Sequence, residues 1–153
     1  MPFNAQMTFS LLAHETSAGD LSRTLRATPA SYAVAIGDGT GAAQAQLAWS
    51  DAKTMAGASE TLNLASLADT RDGASVTATI TAPKVIYIKN TSGSAALTFS
   101  GGPLTGSGVV LAAGGFCVLA DTSATGMAAG TITVAGAAAA TYEIVIVGEG
   151  SIS

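Results

Sequence analysis

Groups able to do acid–base or nucleophilic chemistry are few in this sequence of 153 residues: one histidine, one cysteine and ten carboxylates. A histidine suits proton transfer near neutral pH, but only when a partner group positions it. His14 lies in a polar segment beside Glu15 and reads as a surface or interface residue. A cysteine attacks as its thiolate, and Cys117 is flanked by Phe116, Val118 and Leu119, which read as a buried strand where a thiol packs and stays inert. A lone cysteine also builds neither an internal disulfide nor a cysteine-cluster metal site. Asp69 and Asp72 have a spacing that acid–base work or cation binding would accept, yet Arg71 and Gly73 beside them favour a solvated turn. No segment offers the closely spaced oxygen ligands of a strong calcium site. The run Gly37-Asp38-Gly39-Thr40-Gly41 lacks the dinucleotide spacing and the P-loop lysine, and the run from Gly101 to Gly108 has no charged anchor, so both read as turns. Tyr32, Trp49, Tyr87 and Tyr142 could line a sugar groove, although most of them fall in strand-like runs and read as core or interface aromatics. No catalytic residue, cofactor site or metal ligand is assigned, and the chain reads as non-enzymatic.

Composition points the same way. Hydrophobic residues make up 48% of the chain and charged residues 10%, against about 25% charged in an ordinary soluble domain. A surface so poor in charge does little to discourage contact with neighbours, which fits permanent association with other subunits. The net charge is -4, and the six cations are scattered at Arg23, Arg26, Lys53, Arg71, Lys84 and Lys89. They form no basic patch, so nucleic acid is not expected as a direct partner. The stretch Val134 to Gly148 is too short and too interrupted, by Thr141 and Glu143, for a membrane span. The first residues have no basic segment leading into an apolar run, so synthesis and assembly in the cytoplasm are expected.

The elements that must position these residues are strands. Short apolar runs rich in Val, Ile, Thr and aromatics alternate with Gly and small polar residues, leaving no room for long helices. Lys84 to Lys89 is the clearest strand, apolar on both faces and therefore central and doubly covered. Tyr142 to Val147 reads as a second central strand. Turns at Asn90–Ser94 and Gly114-Gly115 predict hairpins, Lys84–Lys89 with Ala95–Phe99 and Val109–Leu111 with Phe116–Ala120, and Thr131–Val134 is expected to pair with Tyr142–Val147. Leu97 and Phe99 should face inward. Met7–Leu12, Tyr32–Ile36, Gln44–Trp49 and Thr61–Leu64 are further strands, and Leu67–Gly73 reads as a turn-like or helical connection stopped by its glycine. Asp20–Arg26 fits a short helix or, preferably, part of an extended arm. The expected fold is an all-β, antiparallel β-sandwich of jelly-roll type: an N-terminal strand and arm over 1–30 and a β-sandwich over 31–153, one domain overall.

Three segments, Lys84–Ser92, Leu111–Leu119 and Thr141–Gly148, give the C-terminal half a pattern that resembles the capsid decoration, or cement, proteins of tailed bacteriophages. The resemblance implies a structural virion protein, made in the host cytoplasm, that sits as a homotrimer on the outer capsid surface between major capsid proteins. Such a protein needs no cofactor. It binds the assembled shell but not separated subunits, and so stabilises the head by mass action, with larger gains when several copies bridge neighbours. Shell or subunit contacts are expected in the N-terminal region, at Phe3, Phe9, His14, Arg23 and Arg26, through arms that add a strand to a neighbour. A head-fibre or tail-associated module that binds receptor or glycan is the alternative, and a tail or connector subunit is a further one.

Overall fold

The computed structural model describes residues 3–11, 14–17, 23–26 and 30–153. Among them there is no helix. The N-terminal part is a ribbon: β1 (Ala5–Leu11) pairs antiparallel with β4 (Ala30–Asp38), from Ala5 opposite Ile36 to Leu11 opposite Ala30. Nested within it, β2 (His14–Ser17) pairs with β3 (Arg23–Arg26). Of the segment Asp20–Arg26, read as a short helix or part of an extended arm, Arg23–Arg26 is strand β3 and residues 20–22 lie outside the described residues. A short parallel bridge from β4 to β5 (Gln44–Ala45) ties the ribbon to the rest of the chain.

The remaining strands form two facing sheets. One runs β12 (Phe116–Ala120), β9 (Ala74–Asn90), β14 (Thr141–Ile152), β6 (Leu47–Thr54), with β8 (Leu67–Arg71) paired to the start of β9. The other runs β11 (Leu104–Leu111), β10 (Leu97–Gly101), β13 (Thr131–Ala135), β7 (Ser59–Asn63). Setting β8 aside, the chain changes sheet at every step from β6 to β14 except between β10 and β11. Eight strands in two four-stranded sheets so connected make an all-β sandwich.

Period-two alternation explains the core. Trp49, Ile86, Ile88, Ile144 and Ile146 point from the first sheet, and Leu62, Leu97, Phe99, Ile132 and Val134 from the second, into one buried cluster. Phe99 meets Tyr142 edge to face with centroids 5.5 Å apart. The Tyr142 hydroxyl donates to Glu60 Oε1. Burial first, and then the Glu60 carboxylate, push this phenol far above its usual range.

The strands read from sequence are present, but their partners differ. β9 does not form a hairpin with β10, nor β11 with β12, nor β13 with β14; each of these pairs divides between the two sheets. The glycine-rich run read as one long turn holds instead a tight connection inside a sheet, reversing at Gly102-Pro103 between Gly101 and its partner Leu104. Leu67–Arg71, read as a turn-like or helical connection, is strand β8. Asp72 and Gly73 both take positive φ, 51° and 79°, between Arg71 and its partner Ala74. That is the two-residue turn whose twist suits a hairpin, and Asp-Gly is among its favoured sequences.

Two buried polar side chains hold the crossovers. Asn90, at the end of β9, donates through Nδ2 to the carbonyls of Ala95 and Leu111 at 2.8 and 2.9 Å and accepts the Ser92 N–H at Oδ1. Its backbone bonds to Gly115 and Gly114 bind the third connection. Lys84 donates from Nζ to the carbonyls of Ser123 and Ala124, and its Nζ lies 2.8 Å from Glu149 Oε1 in an ionic contact without hydrogen-bond alignment. Two carbonyls thus accept from the ammonium group and the carboxylate balances its charge.

Candidate functional site

The outer face of the first sheet is apolar over β12 and the adjoining parts of β9 and β14. Opposite in parity to the core residues of β9, β14 and β12 stand Val85 and Tyr87, Val145 and Val147, Phe116 and Val118, and the register sets Val118, Tyr87 and Val145 in one row. This is the second cover expected for the Lys84–Lys89 strand, and the ribbon supplies part of it. Ile36, Val85, Val147 and Ala45 form a second buried cluster, against which Phe3, Ala5, Met7, Val34 and Ala48 pack.

Alternation along the ribbon produces that contact. Ala5, Met7, Phe9 and Leu11 on β1 lie opposite Ile36, Val34, Tyr32 and Ala30 on β4, which puts all of them on one face, while Gln6, Thr8 and Ser10 occupy the other. The apolar face runs on beyond its support. Exposure rises from 1% at Ile36 to 43% at Phe9, 48% at Tyr32 and 57% at Leu11. Across from it on the sheet, Phe116 is 55% exposed and leans toward Tyr87, with ring centroids 6.3 Å apart.

Between ribbon and sheet lie two open grooves. One of about 330 Å³ is bounded by Met7, Phe9 and Tyr32 on the ribbon and Phe116, Cys117 and Val118 on β12. The other, about 400 Å³, runs under β1 over Val85, Tyr87, Val145 and Val147. No charged side chain lines either one. Phe116 and Val118, read as part of a buried strand, in fact face outward, whereas Cys117 and Leu119 pack on the core. Burial raises the pKa of the Cys117 thiol, so the groove holds it in the weakly nucleophilic protonated form.

The residues singled out from sequence are separated by the fold. Phe3 packs at the root of the ribbon, Phe9 borders the smaller groove, and His14 lies in register with Arg26, with Ser17 opposite Arg23, in the β2–β3 pair. Met7, Leu11, Tyr32, Phe116 and Val118 complete the apolar surface. The signal for the β1 residues was the apolar–polar alternation of the Met7–Leu12 run, whereas Tyr32, Phe116 and Val118 sit in runs that are apolar throughout.

The other candidate groups stand apart. Asp69 and Asp72 do not form a carboxylate pair: Asp69 accepts from Arg71 Nε at 2.9 Å, and this hydrogen bond lowers its pKa. Among the described residues no three His, Cys, Asp or Glu side chains converge as a metal site. No protein-family model, curated protein or solved structure matches this chain.

Proposed function

We propose that this chain is a non-enzymatic structural subunit of a virion, a capsid decoration protein that binds the outer capsid surface where major capsid proteins meet and stabilises the head. The observation that carries the reading is the ribbon whose apolar face outruns the sandwich beneath it. A chain with 10% charged residues and exposed Phe9, Leu11, Tyr32 and Phe116 is suited to permanent assembly more than to free diffusion. Within that role the ribbon divides. Its root is apolar and seated on the sandwich, and its β2–β3 part carries two of the six cations, Arg23 and Arg26, with His14. The polar end is the segment proposed to reach the shell, and the exposed apolar stretch between root and polar end the segment proposed to join copies of a homotrimer.

The test is binding of purified protein to empty, expanded capsids, followed by heat or chelator challenge. Bound protein should raise the temperature at which shells break, and Arg23→Glu with Arg26→Glu should weaken binding at least tenfold. Absence of capsid affinity in the wild-type protein sinks the reading.

A glycan-binding module is the second reading, favoured by the aromatic groove itself. Sugar recognition needs polar groups placed around the ring, and the smaller groove offers only the Tyr32 hydroxyl and the protonated Cys117 thiol. The capsid reading is therefore preferred, and glycan-array binding abolished by Tyr32→Ala would reverse the preference.

A further inference from the structure

We infer that the groove between the ribbon and β12 is the seat for the distal ribbon of a second copy of this chain, so that copies join head to tail by arm exchange. The inference rests only on the self-association within the proposed function and gives it a physical joint. One chain carries both halves of an apolar contact, each unfilled. The seat is bounded by Phe9, Tyr32, Phe116 and Val118. The insert is the end of the same ribbon face, where Leu11 is the most exposed large apolar residue of the ribbon and lines neither groove.

Three observations favour a second copy over any other occupant. The sequence already packs this ribbon face on this sheet face, through Met7, Val34 and Ile36 on Val85 and Val147. The open groove continues that contact along the same surface. The lining is uncharged throughout, so nothing in it would select a nucleic acid, an anionic membrane surface or a charged peptide. The insert it fits is equally uncharged and extended, which describes Ser10 and Leu11 at the end of β1. Among the described residues β1 is also the edge strand of the ribbon sheet, a position at which an incoming strand can pair. A contact between different patches on the two partners is heterologous, and it repeats around a ring when the rotation closes.

Analytical ultracentrifugation of the purified full chain, without capsids, tests the joint. The wild-type protein should sediment as a closed oligomer. Leu11→Glu, which spoils the insert, and Phe116→Glu, which spoils the seat, should each give a 14.9 kDa monomer. Both positions are more than half exposed, so circular dichroism and melting temperature should stay close to wild type; Leu11→Ser and Phe116→Ser serve if either glutamate variant misfolds. Mixing the two monomeric variants should restore a one-to-one dimer, because one intact insert then meets one intact seat. A monomeric wild-type protein overturns the inference together with the self-association. An oligomer indifferent to both substitutions, or two monomers that fail to pair on mixing, overturns arm exchange alone.

Discussion

The two outer faces of the sandwich are built from the same strand geometry and opposite chemistry. On the sheet of β11, β10, β13 and β7 the register sets Thr61 beside Thr133 and Ser100, and Thr98 beside Ala135 and the exposed Val110. On the sheet of β12, β9, β14 and β6 the equivalent positions under and beside the ribbon are Val85, Tyr87, Val145 and Val147, with Lys89, Glu143 and Ser50 farther from it. Threonine keeps the β-branched shape that fits a pleated sheet but presents a hydroxyl to water. Valine has the same shape and requires a cover. The difference shows which side of this molecule is finished in one chain and which side is built to be covered, partly by its own ribbon.

The largest test of that contrast is a matched pair of substitutions. Val147→Asp places a carboxylate under the ribbon and should cost about 3 kcal/mol or more in urea unfolding. Thr133→Asp, on the other face, should stay within about 0.5 kcal/mol. Equal costs would break the comparison.

Next comes Ile36→Ala, which empties the centre of the ribbon–sheet contact. A loss of about 2–4 kcal/mol is expected, or, where the ribbon lifts off alone, faster amide exchange in β1 and β4 with β9 and β14 still protected. Uniform acceleration through all strands would mean the ribbon is part of the sandwich's own cooperative unit.

Smaller still, Tyr142 provides a control inside the core that both faces share. Its folded pKa lies above the ordinary 10.0, so below pH 10 the phenol is protonated in both states and its stabilisation is fully present. As pH rises further the unfolded chain ionises first, and stability should fall. Tyr142→Phe should remove this alkaline loss and cost about 1–2 kcal/mol at neutral pH through the hydrogen bond to Glu60. An unchanged alkaline slope in that variant would locate the titration elsewhere. The least effect is expected from Thr133→Val: stability within about 0.5 kcal/mol, with any change seen as added self-association at high concentration.

Strand positions were legible because alternation and turn residues are local. Leu97 and Phe99 face inward as expected, and Lys84–Lys89 and Tyr142–Val147 are central. Pairing was not legible, since alternation tells which residues face the core and nothing about which of two sheets holds the strand. Asn90–Ser94 and Gly114-Gly115 look like hairpin turns but carry the chain across the sandwich, where Asn90 satisfies their backbone groups. The groove was hidden for a related reason. Phe116, Cys117, Val118 and Leu119 are all apolar because both faces of β12 meet apolar surface, and that erases the alternation that would have marked Phe116 and Val118 as outward.

The crossovers also govern how this protein comes to be and how long it lasts. β6 and β14 pair with Leu47 opposite Gly148, about a hundred residues apart, and few neighbouring strands can zip from a local turn. Loop-closure entropy must be met before most native pairs form, which predicts slow folding for the size of the chain. Whatever long-range pairing forms after the folding barrier has to be broken before the unfolding one is passed, so lifetime is set by a rate as well as by an equilibrium. A chain that is slow to form and slow to lose its shape suits the proposed role in an object assembled once and never remade.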